Sequence, residues 1–353
     1  MKLNKTYINT ALSGKARAKV LIIYTGGTFG MMRNDQGVLA PFDFSNILEH
    51  LPTLRNLALE LTVISFDKPI DSSNIQPEHW QVMADIIEQH YRQYEGFVVL
   101  HGTDTMAFSA SALSFMLQGL SKPVIFTGAQ LPISEPRSDA RENLITSLEI
   151  AAATIDGKPA VPEVCIFFDF VLLRGNRSKK VESMQFDAFD SGNYPPLAKA
   201  GVKIDYDQGV IHKAGGQSIT LMRNFDTQVA VLKIYPGLNL TTVRAVLNTP
   251  GLQALIIETY GSGNAPTSSW LVDELNKAIQ QGLIIINISQ CSGGRVTQGK
   301  YETSKALAEI GVLGGADMTV EAALTKLMLL LGNYSKAEVK ELIVKPLSGE
   351  LTI

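Results

Sequence analysis

Runs of consecutive apolar residues alternate along the chain with segments of helical period. KVLIIY (19–24), LTVIS (61–65), FVVLH (97–101), PVIFTG (123–128) and VCIFFDF (164–170) have no polar face. Such runs predict strands buried on both sides of a sheet. Between them, PEHWQVMADIIEQHYRQY (77–94), MAFSASALSFMLQGL (106–120) and SDARENLITSLEIAAATI (138–155) carry helical spacing. Ser138 stands at the expected N-cap of the last, with Arg141 at the capping-box position. The stretch from about 176 to 225, with Pro195-Pro196 and several glycines, loses its period and reads as a crossover and linker. The pattern then resumes. QVAVLKI (228–234), LQALIIET (252–259) and LIIINIS (283–289) predict strands; LTTVRAVLN (240–248), SSWLVDELNKAIQQ (268–281), MTVEAALTKLMLLLG (318–332) and SKAEVKELIV (335–344) predict helices.

The expected fold class is therefore α/β: a parallel-sheet N-terminal domain with helices on both faces, and a smaller α/β C-terminal domain. The expected boundaries are a polar N-terminal segment at 1–18, the first domain at 19–205, a linker at 206–225 and the second domain at 226–353. Charge changes this picture little. Of 353 residues 18% are charged, and the net charge is −3. Nothing in that balance asks for nucleic acid or an anionic membrane as partner. The first 18 residues are polar and basic without an apolar core, so a soluble, cytoplasmic protein is expected. Two cysteines, Cys165 in an apolar run and Cys291 in a polar turn, form no disulfide framework.

In an open parallel sheet, ligands bind beyond the carboxyl ends of the strands. The loops there are TGGT (25–28), DKPIDSSN (67–74), HGTDT (101–105) and TGAQ (127–130). They place Thr25, Thr28, Ser72, Ser73, Thr103, Asp104 and Thr105 on one sheet edge. Their glycines let a small polar molecule approach the backbone closely. The structural alternative is that these hydroxyls cap the helices that follow. Other chemistries lack their signatures. TGGT has neither the lysine of a P-loop nor the third glycine of a dinucleotide fingerprint. None of the five histidines forms HExxH or pairs with cysteine at zinc spacing. No G-x-S-x-G elbow is present. The basic run LRGNRSKK (173–180) reads from composition as a solvated loop.

Taken together, TGGTFG, DSSN, HGTDTMAFSASAL, TGAQLPISEPRSDARENL, FFDFVLLRGNRSKK, YGSGNAP and GGADMTVEAALTKL resemble a bacterial asparaginase of the cytoplasmic type, from about residue 19 onward. That resemblance implies hydrolysis of the side-chain amide of L-asparagine to aspartate and ammonia, with weaker action on glutamine. It implies no cofactor and no metal. Thr28 matches the nucleophile; Thr103, Asp104 and Lys180 match a second catalytic group. Ser72 matches the residue holding the substrate's α-carboxylate, and Asp104 also the one taking its α-amino group. Asn264 matches a residue that reaches in from a neighbouring subunit, so a homodimer or dimer of dimers is implied. The chemistry suits these types. An amide carbon is a poor electrophile, and an alcohol needs a proton acceptor. Thr103 can pass a proton to Lys180 only where the amine is neutral, and the base is left open.

Two departures bear on mechanism. Val38 stands where many members place a lid tyrosine, and no tyrosine lies in 25–90. Lys179 and Glu258 stand where some cytoplasmic members use Thr and Arg to bind an activating asparagine. A glutamate there would repel the effector's carboxylate, so hyperbolic saturation is expected. Two rivals remain. One is an ammonia-releasing transamidosome subunit, which would carry a further N-terminal domain for which residues 1–18 are too short. The other is a catalytically silent or weak amino-acid sensor that retains the fold.

Overall fold

The structure, a computed structural model, describes residues 2–11, 15–33, 39–41, 44, 47–216, 218–299 and 302–353. The expectation about Val38 lies outside them. The chain divides into two compact units, residues 1–191 with 195–221, and residues 192–194 with 222–353.

The first unit opens with strand β1 (Leu3–Asn9), then β2 (Ala18–Tyr24), β3 (Leu59–Phe66), helix α1 (Pro77–His90), β4 (Gly96–Leu100), α2 (Met106–Met116), β5 (Val124–Thr127), α3 (Ala140–Ala151), β6 (Val164–Phe168), β7 (Val171–Arg174), β8 (Ala198–Ala200) and β9 (Ile204–Tyr206). They form a nine-stranded sheet in the order β1-β3-β2-β4-β5-β6-β7-β8-β9. The middle of that order, β3 through β6, is parallel. Every residue of β4 and β6 is buried, as expected for strands covered on both faces. Helix α2 packs on β6, and α3 against β4, β5 and β6.

The two edges depart from the all-parallel expectation. At one edge β1 runs antiparallel to β3, so part of the segment read as a polar leader is a strand. Only Ile8 of β1 is buried, so no apolar run marked it. Thr10 closes its end: its hydroxyl donates to the Leu59 carbonyl and accepts the Leu59 N–H. At the other edge β7, β8 and β9 alternate antiparallel. The run VCIFFDF is not one strand. It ends at Phe168, and Asp169 (φ 45°) with Phe170 (φ 64°) makes a two-residue hairpin turn into β7. Both central residues in the left-handed region match the type I′ geometry that right-handed strand twist favours. An aspartate–phenylalanine pair gives no turn signal, which is why the run looked continuous.

The expected linker is held against the first unit as far as Leu221. Buried Arg174 forms a forked pair with buried Glu163, and between them they take the Val210 carbonyl and the His212 N–H. Thr220–Leu221 pairs with Leu117–Gln118.

The second unit contains β10 (Val229–Lys233), α4 (Leu240–Leu247), β11 (Ala254–Thr259), α5 (Ser269–Gln280), β12 (Ile284–Ser289), α6 (Glu302–Glu309), β13 (Leu313–Gly314), α7 (Val320–Asn333) and α8 (Lys336–Leu342). Its four strands are parallel, in the order β10-β11-β12-β13. Alternate residues serve opposite faces. Leu255, Ile257 and Ile285 pack with Val243, Leu271 and Leu275 of α4 and α5. Ala254, Ile256, Ile284 and Ile286 pack with Ala323, Leu327 and Val339 of α7 and α8. Among the described residues no helix is long and apolar enough to cross a membrane.

One charged contact fastens the chain's end. Lys326 and Glu350 are both fully buried and 2.6 Å apart. Lys326 Nζ also donates to the carbonyls of Ile343 (2.8 Å) and Lys345 (2.6 Å). The Glu350 carboxylate accepts the N–H groups of Leu347 and Ser348. Burial pushes the Lys326 amine down from its ordinary value, and Glu350 opposes that shift. Removing one partner strands a buried charge at a cost of about 3–5 kcal/mol. Lys326→Met should lower the unfolding free energy by about that amount in a urea titration. The double variant Lys326→Met/Glu350→Gln should recover most of the loss. A single variant as stable as the parent would refute the assignment.

Candidate active site

The carboxyl ends of β3, β2 and β4 are neighbours, so the loops that follow them meet. Three glycines set how closely. A Cβ on Gly26 (φ 137°) would lie 2.3 Å from the Ile70 oxygen. One on Gly27 (φ 87°) would lie 2.6 Å from the Cα of Gly102, and one on Gly102 would lie 2.6 Å from Ser72 Oγ. No side chain fits such distances, and the positive φ values already favour glycine.

Hydrogen bonds lock the same loops. Thr25 is buried; its N–H and its hydroxyl both go to the Leu100 carbonyl, and its own carbonyl takes the Ile70 N–H. Thr105 donates through its hydroxyl to the Ser72 carbonyl at 2.7 Å. Ser73 donates through both its N–H and its hydroxyl to Asp71, which holds that carboxyl below its ordinary range. Thr25, Ser73 and Thr105 are thus spent on the scaffold. Thr105 stands at the N-cap of α2 but makes no side-chain cap bond.

What remains lines one cavity of about 210 Å³: Gly27, Thr28, Asp71, Ser72, Gly102, Thr103 and Asp104. Thr28 opens a short 3-10 turn, Thr28–Gly30, directly after the glycines. Ser72 opens another, Ser72–Asn74. Lys180 arrives from distant sequence. It lies in a two-residue ladder in which Lys179 faces Asp190 and Lys180 faces Phe189. Its Nζ donates to Thr103 Oγ1 and to Asp104 Oδ1, each at 2.7 Å. The basic run is therefore no solvated loop: Arg174 and Arg177 are buried, and Lys180 is half-buried beside Thr103.

Thr103 Oγ1 in turn donates to Gln130 Oε1 at 3.3 Å. Gln130 carries no catalytic signature, and sequence reasoning passed over it. Its signal was position alone, at the end of the loop after β5, next to β4. Gln130 is fixed by Asp139, whose carboxylate accepts the N–H groups of Gln130 and Leu131, and by its own Nε2 donating to the Gln185 carbonyl. This corrects the expected cap of α3. Asp139, not Ser138, holds the N-cap position, and its carboxylate is turned toward the Gln130 loop. Ser138 Oγ accepts the Ala140 N–H.

Of the predicted site residues, Thr28, Ser72, Thr103, Asp104 and Lys180 come together in the first unit. Asn264 lies in the second, in a tight turn where Tyr260 and Asn264 exchange backbone hydrogen bonds at 2.9 Å. It does not line this cavity. The turn rests on buried Asn287, which takes the Thr259 hydroxyl and donates to the Gly263 carbonyl.

Comparison with known proteins bears on both units. The family model for "Asparaginase, N-terminal" matches residues 19–212, and that for "Glutaminase/Asparaginase C-terminal domain" matches residues 228–343. L-asparaginase 1 of Escherichia coli K12 is 42% identical over 95% of this chain and 98% of its own length. The 60 kDa lysophospholipase of Mus musculus is 42% identical over 95% of this chain; the chain spans 63% of that relative's length. The crystal structure of L-asparaginase I from Vibrio cholerae superposes with a TM-score of 0.86 at 40% identity, covering 96% of this chain and 100% of that one. With a model matching more than half its length and relatives of this identity, the chain belongs to the asparaginase family.

Proposed function

We propose that this protein hydrolyses the side-chain amide of L-asparagine to L-aspartate and ammonia, through Thr28 as nucleophile and with weaker action on glutamine. The observation that carries the proposal is the contact of Lys180 Nζ with both Thr103 and Asp104, at the wall of a cavity that also holds Thr28. A binding protein has no need of a second threonine wired to an amine. The cavity's 210 Å³ lies below the roughly 300–1,000 Å³ of drug-sized sites and suits one amino acid.

In the proposed sequence, Thr28 Oγ attacks the amide carbon and the C–N bond breaks. The hydroxyl proton leaves with the nitrogen as ammonia, and an ester remains on Thr28. Water then attacks that ester, its proton passing by way of Thr103 to the departing Thr28 oxygen, which regenerates the hydroxyl. Lys180 Nζ donates to both Thr103 and Asp104, which joins the second threonine to the residue that would bind the substrate's α-ammonium. Thr103 directs its own hydroxyl proton to Gln130. Ser72 would hold the substrate's α-carboxylate and Asp104 its α-ammonium. Asn264 would complete the site from a second copy, in a dimer or dimer of dimers.

The mouse relative's name raises an ester reading for the same site. A lysophospholipid needs an apolar wall for its acyl chain, whereas this cavity is walled by glycine, serine, threonine and aspartate. Amide hydrolysis is the reading we hold.

Incubation with a slow, labelled asparagine analogue should leave mass on the tryptic peptide containing Thr28; label on the Thr103 peptide instead would overturn the assignment. Thr28→Val and Thr103→Val should each cut ammonia release on the order of 10⁴-fold or more. Saturation with asparagine should be hyperbolic, because Glu258 stands where an activating carboxylate would need a cation. A sigmoidal curve would count against that reading.

A further inference from the structure

We infer that His101 is a positioning residue for the catalytic loop, the last member of a buried relay, Trp80–Ser109–His101, that fixes the Gly102–Thr103 peptide; this rests on the asparaginase reading above. His101 is 1% exposed and follows directly on β4. Its Nδ1 lies 2.7 Å from the Gly102 carbonyl oxygen. A carbonyl only accepts, so Nδ1 carries the proton. Its Nε2 lies 2.9 Å from Ser109 Oγ, and the Trp80 indole N–H donates to that same oxygen at 2.9 Å. With the proton on Nδ1, Nε2 of the neutral ring accepts, so Ser109 takes the indole N–H and donates its own hydroxyl to Nε2. All three directions are thereby set: Trp80 to Ser109, Ser109 to His101, His101 to Gly102.

Burial keeps the ring neutral. Burial pushes its pKa down to about 4, against the Gly102 hydrogen bond, which raises it; His79 on α1 adds a small lowering. The residue is further held by its backbone N–H, which donates to the Thr127 carbonyl, and the ring by Phe126, 5.9 Å away between centroids.

The relay acts where the loops are tightest. Gly102 is the residue that packs on Gly27 and on Ser72. Its carbonyl shares one planar trans peptide with the Thr103 N–H, which therefore points away from the imidazole. Releasing that carbonyl lets the peptide turn and carries Thr103 off its line to Lys180. A misplacement near 1 Å costs about a hundredfold in rate.

The test compares three variants by ammonia release. His101→Leu removes the donor to Gly102 and should lower kcat about a hundredfold with KM within about threefold of the parent. In His101→Asn the side-chain amide nitrogen replaces Nδ1, and kcat should return to within about tenfold of the parent. Ser109→Ala breaks the relay one step back and should lower kcat about threefold to tenfold. Long-range proton–nitrogen correlation should show the Nδ1–H tautomer in the parent, with the Nε2 signal shifted in Ser109→Ala. A leucine variant with parental kcat, or an asparagine variant as impaired as leucine, overturns the inference. If the leucine variant does not fold, the other two decide: both at parental kcat, or asparagine impaired well beyond tenfold, overturns it. A parent that releases no ammonia defeats the asparaginase reading, and with it the positioning role. The nitrogen spectra then still test the relay, and an Nε2–H tautomer refutes it.

Discussion

Everything at this site depends on how closely three backbone loops approach. Gly26 against Ile70, Gly27 against Gly102, and Gly102 against Ser72 leave no room for a single Cβ between them. That approach brings Thr28 and Thr103 to one cavity although they stand 75 positions apart in the sequence. It also explains the division of labour among the hydroxyls. Those of Thr25, Ser73 and Thr105 hold the loops in place. Those of Thr28, Ser72 and Thr103 are left on the cavity wall.

The scaffold makes this approach possible by simple means. Strands β4 and β6 are buried throughout, so their ends are rigidly placed. Around them several buried polar groups are matched to protein partners. Asp139 holds the Gln130 loop, Glu163 and Arg174 hold the segment through His212, and His101 holds Gly102. Each is a buried or half-buried polar group with partners supplied by the backbone and by neighbouring side chains, the arrangement that avoids the cost of an unmade hydrogen bond. The Lys180–Asp104 pair is different. Asp104 is 65% exposed, so that contact contributes little to stability and its meaning is chemical.

Lys180 shows the limit of composition as a guide. A run of two arginines and two lysines reads as solvated surface, yet Arg174 and Arg177 are buried and Lys180 meets Thr103. Only the family resemblance picked Lys180 out, through the motif around it. Gln130 and His101 lie inside motifs of the same resemblance, TGAQ and HGTDT, but it assigned them no role. One is an amide at a loop end, the other a histidine outside every metal pattern, and nothing local separates them from ordinary residues.

By itself the sequence determined which segments are buried on both faces, because an unbroken apolar run has no stable place on a surface. It also determined where glycine was indispensable and which hydroxyls stood at strand ends. It did not determine who those hydroxyls face. Period reports whether a residue is buried, not which strand lies beside it. Strand order, the antiparallel edges at β1 and β7–β9, the turn hidden in Asp169–Phe170, and the meeting of Lys180, Thr103 and Gln130 were decided by tertiary packing. There, contacts across tens of residues compete for the same space, and only the folded chain shows which ones win.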